Sequence, residues 1–191
     1  MGTALLATER PALPRFLPVS LLLLLLCSSL CTPAQQENPE RPLGSIAAGW
    51  TYLYADQGAG ERESINGWFL RPSVNVGKGF NLFFSNTNYY GANRKGSLNG
   101  HGYTLGVGHT IFATPHVKPS VFAESGDVRS SNAGSIVNQF AFATGFGLTI
   151  PLNKHVDLSL TPAEYVFLYP KGDPRNDFNA KVGFSFPFGH R

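Results

Sequence analysis

The chain has 191 residues, with 15 lysines and arginines against 12 aspartates and glutamates, a net charge of +3 and only 14% charged residues. That length points to one domain, and the near balance of charge gives no argument for nucleic acid. Ordinary soluble domains carry about 25% charged residues, so the composition speaks against a fully water-facing surface.

Arg10 and Arg15 lead into an apolar run from Phe16 to Leu30, followed by Thr32, Pro33 and Ala34. A basic lead, a short apolar stretch and small residues form the layout of a secretory signal peptide. The run is short of the roughly 20 residues a membrane helix needs. Residues 1–34 are therefore expected to be cleaved, leaving 13 basic against 11 acidic residues once Arg10, Arg15 and Glu9 are gone. Leu26 precedes Cys27 and Leu30 precedes Cys31, so neither cysteine has the small residue before it that lipidation needs. Both cysteines leave with the signal, and the exported chain must be held without disulfides. Gln35 to Leu43 follows as a polar, proline-interrupted lead with no expected structure.

From Gly44 to Arg191 the pattern has period two, with aromatic and β-branched enrichment and no helical apolar stripe. Strands are predicted over 46–55, 65–76, 80–90, 101–112, 117–126, 138–150, 156–169 and 177–188. In the sixth, Phe140, Phe142, Phe146, Leu148 and Ile150 share one face, while Ala141, Ala143, Gly145, Gly147 and Thr149 share the other. Phe178 to Phe188 alternates in the same way. A soluble barrel turns its large residues inward, whereas a membrane barrel turns them to lipid and fills a narrow lumen with small and polar ones. The Gly, Ala, Ser and Asn on the minor face favour the second arrangement.

The expected connectors alternate. Those at 77–79, 113–116 and 151–155 are short, while those at 56–64, 91–100, 127–137 and 170–176 are longer and polar. Short turns on one side and long loops on the other suit an outer-membrane barrel. With no water to satisfy an open edge in hydrocarbon, strand one must close on strand eight. The fold class expected is thus all-β: an eight-stranded antiparallel up-and-down transmembrane β-barrel after a signal peptide, located in the cell outer membrane.

Alternation places Arg71, Lys118, Glu124, Asp157 and Lys181 in the lumen. Strict parity would turn Glu164 to lipid, but a bulge at Pro162 would bring it inward and send Tyr165, Phe167 and Tyr169 outward. These six charged residues are read as a salt-bridge network plugging the barrel. Aromatics near strand ends, among them Trp50, Trp68, Tyr89, Tyr90 and Tyr103, are read as interfacial girdles. In the connector 91–100, Arg94 and Lys95 are candidates for contact with lipopolysaccharide phosphates.

The signal, the eight alternating strands, the long outer loops and the aromatic last strand resemble the outer-membrane β-barrel superfamily typified by the OmpA transmembrane domain and OmpX. The resemblance implies outer-membrane lipid and lipopolysaccharide as surroundings, insertion by the barrel-assembly machinery and a monomeric state. Barrels of this kind usually end at an aromatic residue which that machinery reads, and here Phe188 is followed by three residues. Some small barrels modify lipid A, and the deacylases among them carry a His-x-Ser-Asn stretch on the seventh strand. Ala163-Glu164-Tyr165-Val166 stands there instead, without nucleophile or base. No catalytic residue, metal ligand or cofactor is therefore expected, and the leading reading is a non-enzymatic scaffold displaying loops. A lipid A-modifying enzyme or narrow channel is the alternative, and a soluble periplasmic ligand-binding barrel the third.

Overall fold

The computed structural model describes residues 42–58, 60–93, 96–132, 135–169 and 174–190. The signal peptide, most of the lead, and Arg94 and Lys95 lie outside them. Eight strands run in chain order: β1 (Pro42–Gly58), β2 (Glu61–Gly77), β3 (Phe80–Asn93), β4 (Gly96–Thr110), β5 (Lys118–Asn132), β6 (Ser135–Pro151), β7 (Asp157–Tyr169) and β8 (Arg175–His190). Each pairs antiparallel with its neighbours, and β1 pairs with β8, so the sheet closes as expected.

The register fixes the shape. Partners followed once round the barrel from Tyr54 run through Phe178, Tyr165, Thr144, Ala123, Val107, Leu82 and Val74, and return to β1 at Gly44. The stagger is ten residues, the difference between positions 54 and 44. With a rise of about 3.3 Å per residue and strands about 4.8 Å apart, that stagger tilts the strands by about 40°. The backbone radius is then about 8 Å, room for side chains only. Each residue along a strand changes height by about 2.5 Å, and each step to the partner on the next strand, in the order β1 to β8, climbs about 3 Å.

Two expectations about connectors are corrected. The ladders run on to Gly58↔Glu61, Asn93↔Gly96 and Asn132↔Ser135, so most of 56–64, 91–100 and 127–137 is strand. The connectors at the opposite, lower end include the longer intervals 111–117 and 152–156. Short and long connectors therefore do not alternate. Polar Ser, Asn and Thr sustain a hydrogen-bonded hairpin in water without apolar alternation, so periodicity cannot see these extensions. β1 also begins at Pro42, inside the expected lead. At the lower end, Gly77, Lys78 and Gly79 turn the chain with positive φ values of 103°, 50° and 80°, a run in which two glycines carry most of the strain.

Large apolar side chains cover the outside. Trp50, Trp68, Phe140, Phe184 and Phe186 are exposed, and Leu105 is 69% exposed. Soluble monomers rarely show apolar patches beyond a few hundred Å², so this belt is built for hydrocarbon.

Candidate functional site

The lumen is layered. In its upper part Leu53, Ala55, Ile65, Tyr89 and Leu98 form a buried apolar cluster, and Ala141, Ala143, Val166 and Leu168 form a second. Large residues thus face inward here, against the expectation of a small and polar interior. Tyr89, expected in the girdle, lies inside, and its hydroxyl accepts from Asn179 Nδ2 at 3.0 Å. Its neighbour Tyr90 is exposed, as alternation requires.

The charged layer is drawn from four strands: Arg71 on β2, Glu124 on β5, Glu164 on β7 and Lys181 on β8. Lys181 Nζ lies 2.7 Å from Glu164 Oε2 and 3.6 Å from Glu124 Oε1. Arg71 Nη2 lies 3.4 Å from Glu124 Oε2 and 4.0 Å from Glu164 Oε2. Each cation thus faces both carboxylates, and two positive charges balance two negative ones. Neighbouring groups complete the layer. Thr104 Oγ1 donates to Glu124 at 3.0 Å, and Thr51 Oγ1 donates to Asn179 Oδ1 at 2.6 Å. Asn179 Nδ2 also lies within 3.3 Å of Glu164. The Arg71 guanidinium is held between the rings of Phe83 and Phe122, 4.5 and 5.0 Å from their centroids, an arrangement that favours a partly desolvated cation.

Glu164 reaches this layer through the predicted bulge. Between Phe146↔Ala163 and Leu148↔Leu160, β7 advances three residues while β6 advances two. The same extra residue separates Thr161↔Lys181 from Glu164↔Asn179 against β8. Pro162 and Ala163 both face outward, so Thr161 and Glu164 both face inward. Proline suits the position because it has no N–H to leave unpaired in hydrocarbon.

Lys118 and Asp157 do not belong to the layer, which corrects the six-residue network to four. Lys118 is opposite Thr149, and Asp157 is opposite Pro151 and Ser185. Both are half-buried at the lower mouth, and no ion pair links either to the four among the described residues. Their parity is inward as expected, but height on a tilted strand decides which inward charges meet. Phe83, Phe122, Thr51 and Asn179 are not singled out in the sequence, whereas Tyr89 is moved from the girdle to the lumen. Parity alone marks each as inward.

Below the four charges a cavity of about 110 Å³ is lined by Ser45, Ser73, Ser120, Ser159 and Ser185 together with Arg71. Arg71 Nε is buried without a hydrogen-bond partner. No group of three or more His, Cys, Asp or Glu side chains suited to a metal ion occurs among the described residues. His101 Nδ1 is paired with Asn88, and the His109 ring lies against Phe80 at a tilt of 39° with centroids 4.3 Å apart.

No family model and no curated protein matches the chain. Solved structures do. Neisserial surface protein A superposes with a TM-score of 0.67 at 13% identity, covering 76% of this chain and 97% of that one. OprG, an outer membrane protein of Pseudomonas aeruginosa, gives 0.52 at 11% identity over 82% of this chain and all of that one. Ail, the attachment invasion locus protein of Yersinia pestis, gives 0.51 at 14% identity over 76% and 99%. The chain therefore has the fold of the small eight-stranded outer-membrane β-barrels.

Proposed function

We propose that the chain is a non-enzymatic outer-membrane scaffold whose lumen is sealed and whose upper hairpins carry any recognition. The observation behind this reading is the charged layer under its apolar cap. Glu124, Glu164 and Lys181 are buried, Arg71 supplies the second positive charge that neutralises the pair of carboxylates, and Leu53, Ile65, Tyr89 and Leu98 close the way above them. A solute would have to separate ion pairs in a lumen already filled by side chains. The exterior belt supports residence in a membrane, with outer-membrane lipid as the surrounding partner and a monomer as the unit, since the barrel leaves no open strand edge. Catalysis has little to stand on. Of the histidines on the strands, His101 pairs with Asn88 and His109 packs against Phe80, so neither supports a serine–histidine pair.

Heat-modifiable migration of the full chain in outer-membrane fractions tests closure and location together. Planar-bilayer recording tests the seal, with silence expected. Stepwise conductance of the native chain that disappears in Lys181→Ala would overturn the sealed lumen in favour of a narrow ion path. Recovery in the soluble periplasmic fraction, with mobility unchanged by heating, would overturn the membrane assignment.

A further inference from the structure

The apolar belt is not level. Along the row of partners Trp50, Trp68, Asn88 and His101, the outward side chains change from indole to amide and imidazole. Taking Trp50 as zero, Asn86 stands about 1 Å, Asn88 about 6 Å and His101 about 9 Å higher. Asp127, also outward and exposed, stands at about 8 Å. On the other half of the barrel the outward residues at about 5 to 10 Å are Phe142, Phe167, Phe178, Tyr52 and Tyr54. On β3 and β4 the belt is thus interrupted between Phe84, Leu105 and Tyr103 below and Tyr90 above, and a polar notch with Asn88 buried at its centre stands where the opposite half is aromatic.

The notch is organised. Asn88 Nδ2 donates to Asn86 Oδ1, and His101 Nδ1–H donates to Asn88 Oδ1. That tautomer leaves His101 Nε2 as an acceptor at one end of the chain of bonds and Asn86 Nδ2 as a donor at the other. Neither has a partner among the described residues. Aromatic rings flank the chain: Trp68 is the cross-strand neighbour of Asn88, and Tyr103 that of Asn86. The Tyr90 ring meets His101 edge to face at 6.4 Å.

We propose that this outward face of β3–β4, between Trp68 and Tyr103, binds the saccharide headgroup of a membrane glycolipid. A sugar ring offers hydroxyls that both donate and accept, matching the amide donor and imidazole acceptor, and C–H faces that lie against aromatic rings. The acyl chains would continue down the belt over Phe84 and Leu105, which are exposed there. Charge does not point to a phosphate group. Arg129, opposite His101, and Asp127, opposite Tyr103, supply one cation and one anion to the neighbouring outward face.

The inference rests on the membrane reading above, and its test keeps the two apart. The full chain carrying Trp50→Phe, which leaves Trp68 as the reporter, is reconstituted in phosphatidylcholine nanodiscs with increasing digalactosyl diacylglycerol. Insertion is read separately by heat-modifiable migration. A saturable change in Trp68 emission is expected, and its midpoint should move at least tenfold upward in the double variant Asn86→Leu, His101→Leu. An inserted barrel without that change, or one whose variant responds like the parent, sinks the notch alone. So does an equal response to phosphatidylglycerol, which carries no sugar ring. A chain that fails to insert sinks the membrane reading and the notch with it.

Discussion

Replacing Lys181 by Met removes one charge from the sealed layer and keeps the unbranched side chain but for its terminal atom. Lys181 holds the shortest contact to Glu164, at 2.7 Å, and without it the nearest cation to that carboxylate is Arg71 at 4.0 Å. Glu164 and Lys181 side chains are each 2% exposed, so water cannot take over the lost interaction without entering the lumen. Breaking a buried pair by removing one partner costs about 3–5 kcal/mol, because the surviving charge stays desolvated. Folding into lipid vesicles, followed by urea titration of tryptophan emission, should therefore show Lys181→Met less stable by about that amount. Adding Glu164→Gln should recover part of the loss, since the orphaned charge goes with it. A loss below about 1 kcal/mol, the size of an exposed pair, would mean that the layer is hydrated and the lumen is not sealed there.

Three further perturbations test other parts of the same account. A Cβ at Gly183 would stand 2.2 Å from Ala48 O across the β1–β8 seam, and Gly49 opposite is equally crowded against Val182 O. Gly183→Val should cost about 3 kcal/mol or more and abolish the compact, heat-modifiable band. Deleting Ala163 removes the extra residue of β7 and should turn Glu164 to lipid, so that refolding yield in bilayers collapses while Ala163→Gly folds normally. Lys118→Met, at the half-buried lower mouth, should change stability by less than about 1 kcal/mol in the same urea assay.

Much of the barrel was legible because its exterior is simple. Lipid imposes one requirement on every outward residue, and period two carries that requirement directly into the sequence. The bulge at Pro162 was legible for the same reason: a glutamate at an outward position in a proline-containing strand cannot stay there. The interior resisted reading because parity gives only a direction. Lys118 and Lys181 are both inward, yet one lies at the mouth and the other at the centre, and only the ten-residue stagger separates them. Phe83 and Phe122 show the same limit, since parity turns them inward without saying what they hold. A large ring on the inner face looks misplaced until the Arg71 guanidinium between them is known. The upper hairpins were hidden because polar strands in water need no alternation, so Gly58, Asn93 and Asn132 read as loop.

The stagger also explains why the lumen holds charges at all. Burying ions is a poor way to gain stability, since well-packed apolar residues of similar volume usually do as well or better. Register is a different matter. A barrel wall facing lipid presents much the same apolar surface if one strand slides by two residues, so the outer face discriminates weakly between neighbouring registers. The inner face does not share that weakness. Arg71, Glu124, Glu164 and Lys181 come from β2, β5, β7 and β8, and three of those four strands must be placed correctly before Lys181 finds both carboxylates. A slip of two residues between β7 and β8 would carry a partner about 6–7 Å along the strand, beyond any ion-pair distance, and would strand two charges in a sealed space. The penalty that makes buried ions costly in the right register is therefore what makes the wrong one prohibitive, and the bulge at Pro162 and Ala163 belongs to that device because without it Glu164 never enters the lumen.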